Sequence, residues 1–133
     1  MVRNGLIGVT TGGTSAQVFA GAPYTSAGKT GTAQAVTIGQ KDKYNASKLS
    51  EHQRDHALYM AFAPADAPRI AVAVVVENAG FGAAHAAPIA RRVFDYWLLD
   101  QYPSAEDIAA TQKGLTSRPI GTPRSKADVS LAP

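Results

Sequence analysis

The stretch Ala27-Gly28-Lys29-Thr30-Gly31-Thr32-Ala33-Gln34 decides how this chain is read. It lies within Tyr24–Val36, a segment rich in threonine and small residues, which predicts a strand. Lys29 is a cation with no acid nearby: residues 1–41 hold Arg3, Lys29 and Lys41 but neither Asp nor Glu, a bias that favours anionic ligands. Thr30 and Thr32 present two hydroxyls on one strand face. Gly31 lacks a side chain, so a ligand backbone can approach and pair with the strand. The backbone N–H of Thr32 is then free to donate to a ligand oxygen. Such parts bind a peptide carboxylate and an oxyanion. Ideal alternation puts Lys29 on the face opposite Thr30 and Thr32. For all three to serve one site, the strand must twist or the lysine must reach along its edge.

Downstream of the strand, Gly39–Asp55 reads as a polar loop with a helical turn after Ser50, where Gln53 would close a capping box. Two clearer elements follow. Ala57–Ala63 alternates Leu58, Met60 and Phe62 with alanines and Tyr59, and Ile70–Val76 alternates Ile70, Val72, Val74 and Val76 with Ala71, Ala73 and Val75. Both faces of both strands are apolar, so both are expected to be covered. Pro64–Arg69 is short enough for a hairpin. After the loop Asn78–Ala84, a helix is predicted from Ala86 to Gln101, with Pro88 in its first turn. Ala86, Ile89, Ala90, Val93 and Trp97 follow helical spacing, with Arg91, Arg92 and Asp95 on the outer side. Upstream, Met1–Thr10 reads as the end of a helix stopped by Gly12-Gly13. The expected fold is α+β, with antiparallel strands and a C-terminal helix in residues 1–102. The tail, 103–133, has little apolar surface and four prolines. Beyond a weak helix from Ser104 to Lys113, it is expected to be disordered.

Composition sets outer limits. With 133 residues, 45% hydrophobic and 17% charged, the chain is one domain or a piece of a larger one, and wholesale disorder is excluded. The apolar strand faces exceed what one amphipathic helix covers, which favours a piece. The absence of cysteine excludes a disulfide framework, a thiolate metal site and a cysteine nucleophile. The longest apolar run, Ile70–Val76, is too short to cross a bilayer, and Val-Arg-Asn-Gly after Met1 is no signal peptide; the chain as given is expected to carry no anchor. The net charge is +3, but no basic stripe with interleaved aromatics is present, so nucleic acid is not an expected partner.

Other residues offer weaker candidate sites. His52 and His56, with Asp55, could share a metal on a helix, but no third ligand is evident and the plainer reading is a polar loop, so no metal is expected. Glu77 ends a strand. His85 precedes a helix and reads as a capping or surface residue. Gly80 and Gly82 read as turn glycines.

Lys-Thr-Gly is the third signature of penicillin-recognising serine enzymes, beside Ser-x-x-Lys and Ser-x-Asn. The longer run Gly28–Gln34 resembles the class B penicillin-binding proteins. Tyr44-Asn45-Ala46, Arg54-Asp55-His56, Ala61-Phe62-Ala63-Pro64 and Val74-Val75-Val76-Glu77-Asn78, followed by Gly80 and Gly82, come in the order expected of the elongation-specific members. The resemblance covers roughly Gly12–Leu99 and implies the C-terminal part of a β-lactamase-like transpeptidase domain. It implies a serine D,D-transpeptidase that cross-links peptidoglycan stem peptides through an acyl-enzyme, with β-lactams acylating the same serine and no cofactor. In that reading Lys29, Thr30, Gly31 and Thr32 hold the terminal carboxylate, Lys29 polarises the serine of the second motif, and the Thr32 N–H supplies half of the oxyanion hole. The parent would be a periplasmic domain on an inner-membrane anchor, working with membrane proteins of the elongation complex. The departure is the nucleophile. Ser26-Ala27-Gly28-Lys29 is literally Ser-x-x-Lys, but it lies on an extended segment, and no Ser-x-Asn occurs. A nucleophile pair needs both side chains on one helix face. The chain by itself is therefore expected to be inactive. Alternatives are a β-lactam sensor or hydrolase of the same fold, or a non-catalytic interaction module.

Overall fold

The structure is a computed structural model describing residues 1–34, 55–115 and 117–129. The polar loop expected at Gly39–Asp55 falls almost wholly outside these residues. Helix α1 spans Val2–Thr11 and α2 spans Ala16–Phe19, followed by strands β1 (Ala27–Ala33), β2 (His56–Ala63) and β3 (Ile70–Val76). A short α3 (Gly82–His85) leads into α4 (Ala87–Leu99). Strand β4 (Gln101–Tyr102), α5 (Ala105–Gln112), β5 (Arg124–Ser125) and a 3-10 turn at Lys126–Asp128 complete the chain. The main sheet is antiparallel in the order β1-β2-β3, with Thr30 opposite Tyr59 and Tyr59 opposite Val74.

The predicted alternation places the core. Ala57, Tyr59, Ala61 and Ala63 turn to a buried inner face, where Ile70, Val72, Val74 and Val76 pack beside them. Helix α4 covers this face through Ala87, Ala90 and Phe94, all fully buried. Alanine on both strand and helix lets the backbones come close, and aromatic rings fill the remaining space. Phe19 stacks on Tyr59 and tilts against Phe94, each at 6.2 Å between centroids. Truncating Phe94 to alanine would cost about 3–5 kcal/mol. The other face departs from expectation. Met60 and Val75 are 64% and 63% exposed, and the outer face stays largely open among the described residues. Leu6 of α1 borders a cleft on it with Lys29, Met60 and Phe62.

Helix α4 also corrects two assignments. Arg91 and Asp95, expected outside, are buried: Arg91 Nε pairs with Asp95 at 2.9 Å while its Nη1 donates to the Val18 and Ala20 carbonyls, and Tyr24 donates to Asp95 at 2.6 Å. The buried face thus runs through Ala87, Ala90, Arg91, Phe94 and Asp95, while Ile89, Val93 and Trp97 of the expected stripe are exposed, so the apolar spacing marked the wrong face of the helix. It ends where Asp100 adopts a left-handed φ of 52°.

The tail is the second correction. Its described residues, 103–115 and 117–129, are folded, not disordered. Ser104 caps α5 by accepting from the Asp107 N–H at 3.0 Å. The fully buried Asp107 carboxylate takes two hydrogen bonds from Arg92, at 2.7 and 3.0 Å. Strand β5 pairs with β4, and the Arg124 guanidinium lies 5.4 Å from the Tyr102 ring centroid. Polar partners on α4 hold this segment, so its low apolar content was a poor guide.

Candidate active site

Among the described residues β1 pairs only with β2, so it is an edge strand. Lys29, Thr30, Gly31 and Thr32 occupy its middle. A Cβ on Gly28 would run into the Tyr59 hydroxyl and lie 2.8 Å from its Cζ, which puts Gly28 on the inner face above the aromatic core. Thr30 and Thr32 share that face by alternation, and Lys29 lies on the outer one, bordering the cleft beside Leu6. Lys29 and Thr32 are exposed and Thr30 is half-buried.

The lysine reaches along the edge. Its Nζ donates to the Thr30 carbonyl at 2.7 Å, outside β2. The two ion pairs found among the described residues, Arg91–Asp95 and Arg92–Asp107, do not involve it. The orientation of Thr32 follows from the packing of Gly82. A Cβ there would press on Leu58 O while lying 2.6 Å from Gly31 O and 3.2 Å from Gly31 N. Atoms from both members of the Gly31–Leu58 pair crowd one point, so the two residues face each other across the ladder as a hydrogen-bonded pair does. Alternation then turns the N–H and C=O of Thr30 and Thr32 away from β2, to the free edge. The Lys29 contact with the Thr30 carbonyl agrees with this orientation. An ammonium, two hydroxyls and an outward N–H thus line one edge, where an extended anionic peptide could pair.

Gly31 has a packing reason that its sequence does not show. A Cβ there would come 3.3 Å from the Leu58 Cβ, so the residue is held between the Leu58 side chain and Gly82. Tyr59, beneath Gly28, meets the Ser15 hydroxyl at 3.1 Å. Burial pushes its pKa up, the Ser15 contact pulls it down, and the phenol stays neutral. Sequence reasoning missed Ser15, Tyr59 and Gly82 as supports of the strand; the Gly80-Phe81-Gly82 spacing was the available signal.

The remaining candidates have other partners. His56 Nδ1 accepts from the Asn78 N–H at 3.0 Å and the Asp55 carbonyl from the Gly80 N–H at 2.8 Å. These bonds fix the loop that carries Gly82 to β1. His52 lies outside the described residues, among which no three His, Asp or Glu side chains group to hold a metal. Glu77 and His85 are exposed. Ser26 is buried and its carbonyl accepts from Thr10 at 2.6 Å. On extended chain, Ser26 and Lys29 point to opposite faces and do not form a nucleophile pair here.

An edge strand bearing Lys-Thr-Gly-Thr, backed by two strands and a C-terminal helix, is the arrangement expected of a transpeptidase domain of the class the sequence resembles. The profile of the penicillin-binding protein transpeptidase domain matches residues 1–95, and the chain belongs to this family. It is 46% identical over 94 residues to the peptidoglycan D,D-transpeptidase MrdA of Haemophilus influenzae, covering 71% of this chain and 14% of that protein. Among solved structures it is similar to Pseudomonas aeruginosa PBP2 in complex with WCK 5153, at 42% identity and a TM-score of 0.59, over 78% of this chain and 21% of that one. Helicobacter pylori PBP2, solved as a complex with MreC, gives 26% identity and a TM-score of 0.55 over 73% and 16%. The chain thus spans about a seventh of the Haemophilus influenzae relative and about a fifth of the Pseudomonas aeruginosa one.

Proposed function

We propose that this chain is the carboxylate- and oxyanion-binding part of a peptidoglycan D,D-transpeptidase of the elongation-specific type. The parent would cross-link stem peptides by two acyl transfers. A serine oxygen bonds to a donor-peptide carbonyl carbon as the C–N bond breaks and the leaving amine takes the proton; an acceptor amine then displaces the serine. β-Lactams would enter the first step only, with their ring C–N bond breaking. Lys29 holds the terminal carboxylate with Thr30 and Thr32, and supports proton transfer at a second-motif serine. The Thr32 N–H donates to the oxyanion.

The observation that carries this reading is the β1 edge, where the Lys29 ammonium reaches the Thr30 carbonyl at 2.7 Å and Thr32 turns its N–H outward. The acylating serine is assigned to parent sequence outside these residues, approaching Lys29 from the open outer face. By the same reading the parent works in the periplasm from an inner-membrane anchor, and its membrane partners belong to the elongation machinery, as the MreC complex of the Helicobacter pylori relative suggests. Among the described residues no helix is long and apolar enough to cross a membrane. The test is intact-mass analysis of the complete parent after incubation with penicillin, with peptide mapping. One adduct on a serine outside these residues is expected. No adduct, or one mapped to Ser26, would overturn the assignment.

A further inference from the structure

We propose that Gly82 is a positioning residue for the oxyanion donor, an inference that rests on the role given above to Thr32. The first residue of α3 leans on the back of the peptide unit that presents this donor. Gly31 C=O and Thr32 N–H belong to one planar trans peptide, so the carbonyl points toward β2 and the N–H away from it. The missing Gly82 Cβ would lie 2.6 Å from that carbonyl oxygen and also against Leu58 O. Both are backbone atoms, so no rotamer change relieves the contact. Either the Gly31–Thr32 peptide tilts or α3 lifts from the sheet.

The approach is enforced from the other end. His56 Nδ1 holds the Asn78 N–H and the Asp55 carbonyl holds the Gly80 N–H, so the loop is tied to the start of β2 before it reaches β1. A side chain at position 82 therefore cannot be accommodated by free movement of the loop. Its effect is carried to Thr32, and a displacement near 1 Å at a reacting group costs on the order of 10² in rate.

The experiment uses the complete parent enzyme. Rapid mixing with a β-lactam separates the dissociation constant of the initial complex from the acylation rate constant, and melting is followed alongside. Gly82→Ala should lower the acylation constant on the order of 10²-fold with little change in initial binding, because the oxyanion forms only after attack. Affinity for a boronic acid, which mimics the tetrahedral state, should fall in parallel. Gly21→Ala is the comparison: φ there is +76°, so it strains a turn outside the loop that carries Gly82, and its Cβ would meet nothing within 4 Å. It should lower the melting temperature without a comparable loss of acylation. If Gly82→Ala fails to fold, Ala83→Gly weakens α3 beside the contact through its lower helix propensity and should slow acylation several-fold. A folded Gly82→Ala, or Ala83→Gly in its place, that acylates like the parent would overturn the proposal, as would equal losses in the Gly21 and Gly82 variants. Lys29→Ala separates the two readings. If it acylates normally, the function assigned to the edge fails; if it is inactive while Gly82→Ala is normal, only the positioning role fails.

Discussion

Lys29 allows chemistry to be separated from folding. Its side chain is exposed and hydrogen-bonds the neighbouring Thr30 carbonyl, so Lys29→Ala should alter stability by no more than about 0.5 kcal/mol. Second-order acylation of the complete enzyme by a β-lactam should fall on the order of 10²–10³-fold. Thr32→Val should lose less, since its backbone N–H survives. Measuring acylation rates and melting temperatures for both variants decides the matter, and near-normal acylation by the lysine variant would sink the assignment. Gly28 should give the opposite signature. A Cβ there meets the Tyr59 ring, so Gly28→Ala should destabilise by about 1–3 kcal/mol, read from the urea midpoint. Adding Tyr59→Phe removes the nearest atom and should recover part of the loss; strictly additive costs would show that the two do not press on each other. The residue types of this strand were readable in the sequence because lysine, threonine and an outward amide have evident chemistry. The reasons for its glycines were not, because Tyr59 and Leu58 meet them only through sheet pairing and Gly82 only through the packing of α3.

Helix α4 is gripped from both sides, and each side makes a distinct prediction. Asp107→Ala removes the carboxylate from a buried pair and leaves Arg92, whose side chain is only 12% exposed, without it. Such breaks cost about 3–5 kcal/mol where they are fully buried. The loss should be local: limited proteolysis should cut near α5 in the variant, while the tail through Asp128 resists in the unmodified protein and the sheet resists in both. Equal cutting of both proteins would mean that the tail is not held by this pair. On the opposite side, burial first, then the hydrogen bond to Asp95 and its charge, push the Tyr24 pKa well above its ordinary 10.0, against a smaller opposing pull from Arg91. A raised pKa gives stability that is full below about pH 10 and lost as pH rises beyond it, because the unfolded phenol ionises there first. Tyr24→Phe should therefore cost about 1–2 kcal/mol near neutrality and flatten the alkaline decline, measured by urea unfolding between about pH 8 and 11. An unchanged alkaline slope would show that Tyr24 does not report it. The strands were legible from their alternation, and the extent of α4 from Pro88 and its helical spacing, but its packing face was not: Ile89, Val93 and Trp97 are exposed. Arg91, Asp95 and the folded tail were not legible either, because their partners Val18, Tyr24 and Arg92 are far away in sequence, and an apolar count gives no weight to a buried ion pair.

Taken alone, the three-stranded sheet exposes what a stable domain ordinarily hides. Its outer face shows Met60 and Val75, and β3 is a seven-residue apolar strand that, among the described residues, pairs on one side only. Open apolar edges of this kind recruit other chains. The isolated chain should therefore self-associate at micromolar concentration, which light scattering would detect; a monodisperse monomer would mean that the outer face is covered. Its chemistry should be equally incomplete. Acylation needs a nucleophilic oxygen about 3–3.5 Å from the carbonyl carbon and a base beside it. Among the described residues, Ser15 is buried against Tyr59, Ser26 is buried on the face opposite Lys29, Ser104 caps α5, and Ser117 and Ser125 are exposed outside the helices. None shares a helical turn with a lysine. The edge proposed to hold substrate is present, while the attacking group is expected elsewhere in the parent. Incubated with excess penicillin, the isolated chain should show no stoichiometric mass increase, whereas the complete parent should gain one adduct that Lys29→Ala slows. A stoichiometric adduct on the isolated chain, wherever it maps, would show that these residues hold a nucleophile of their own and would reverse the division of labour proposed for this edge.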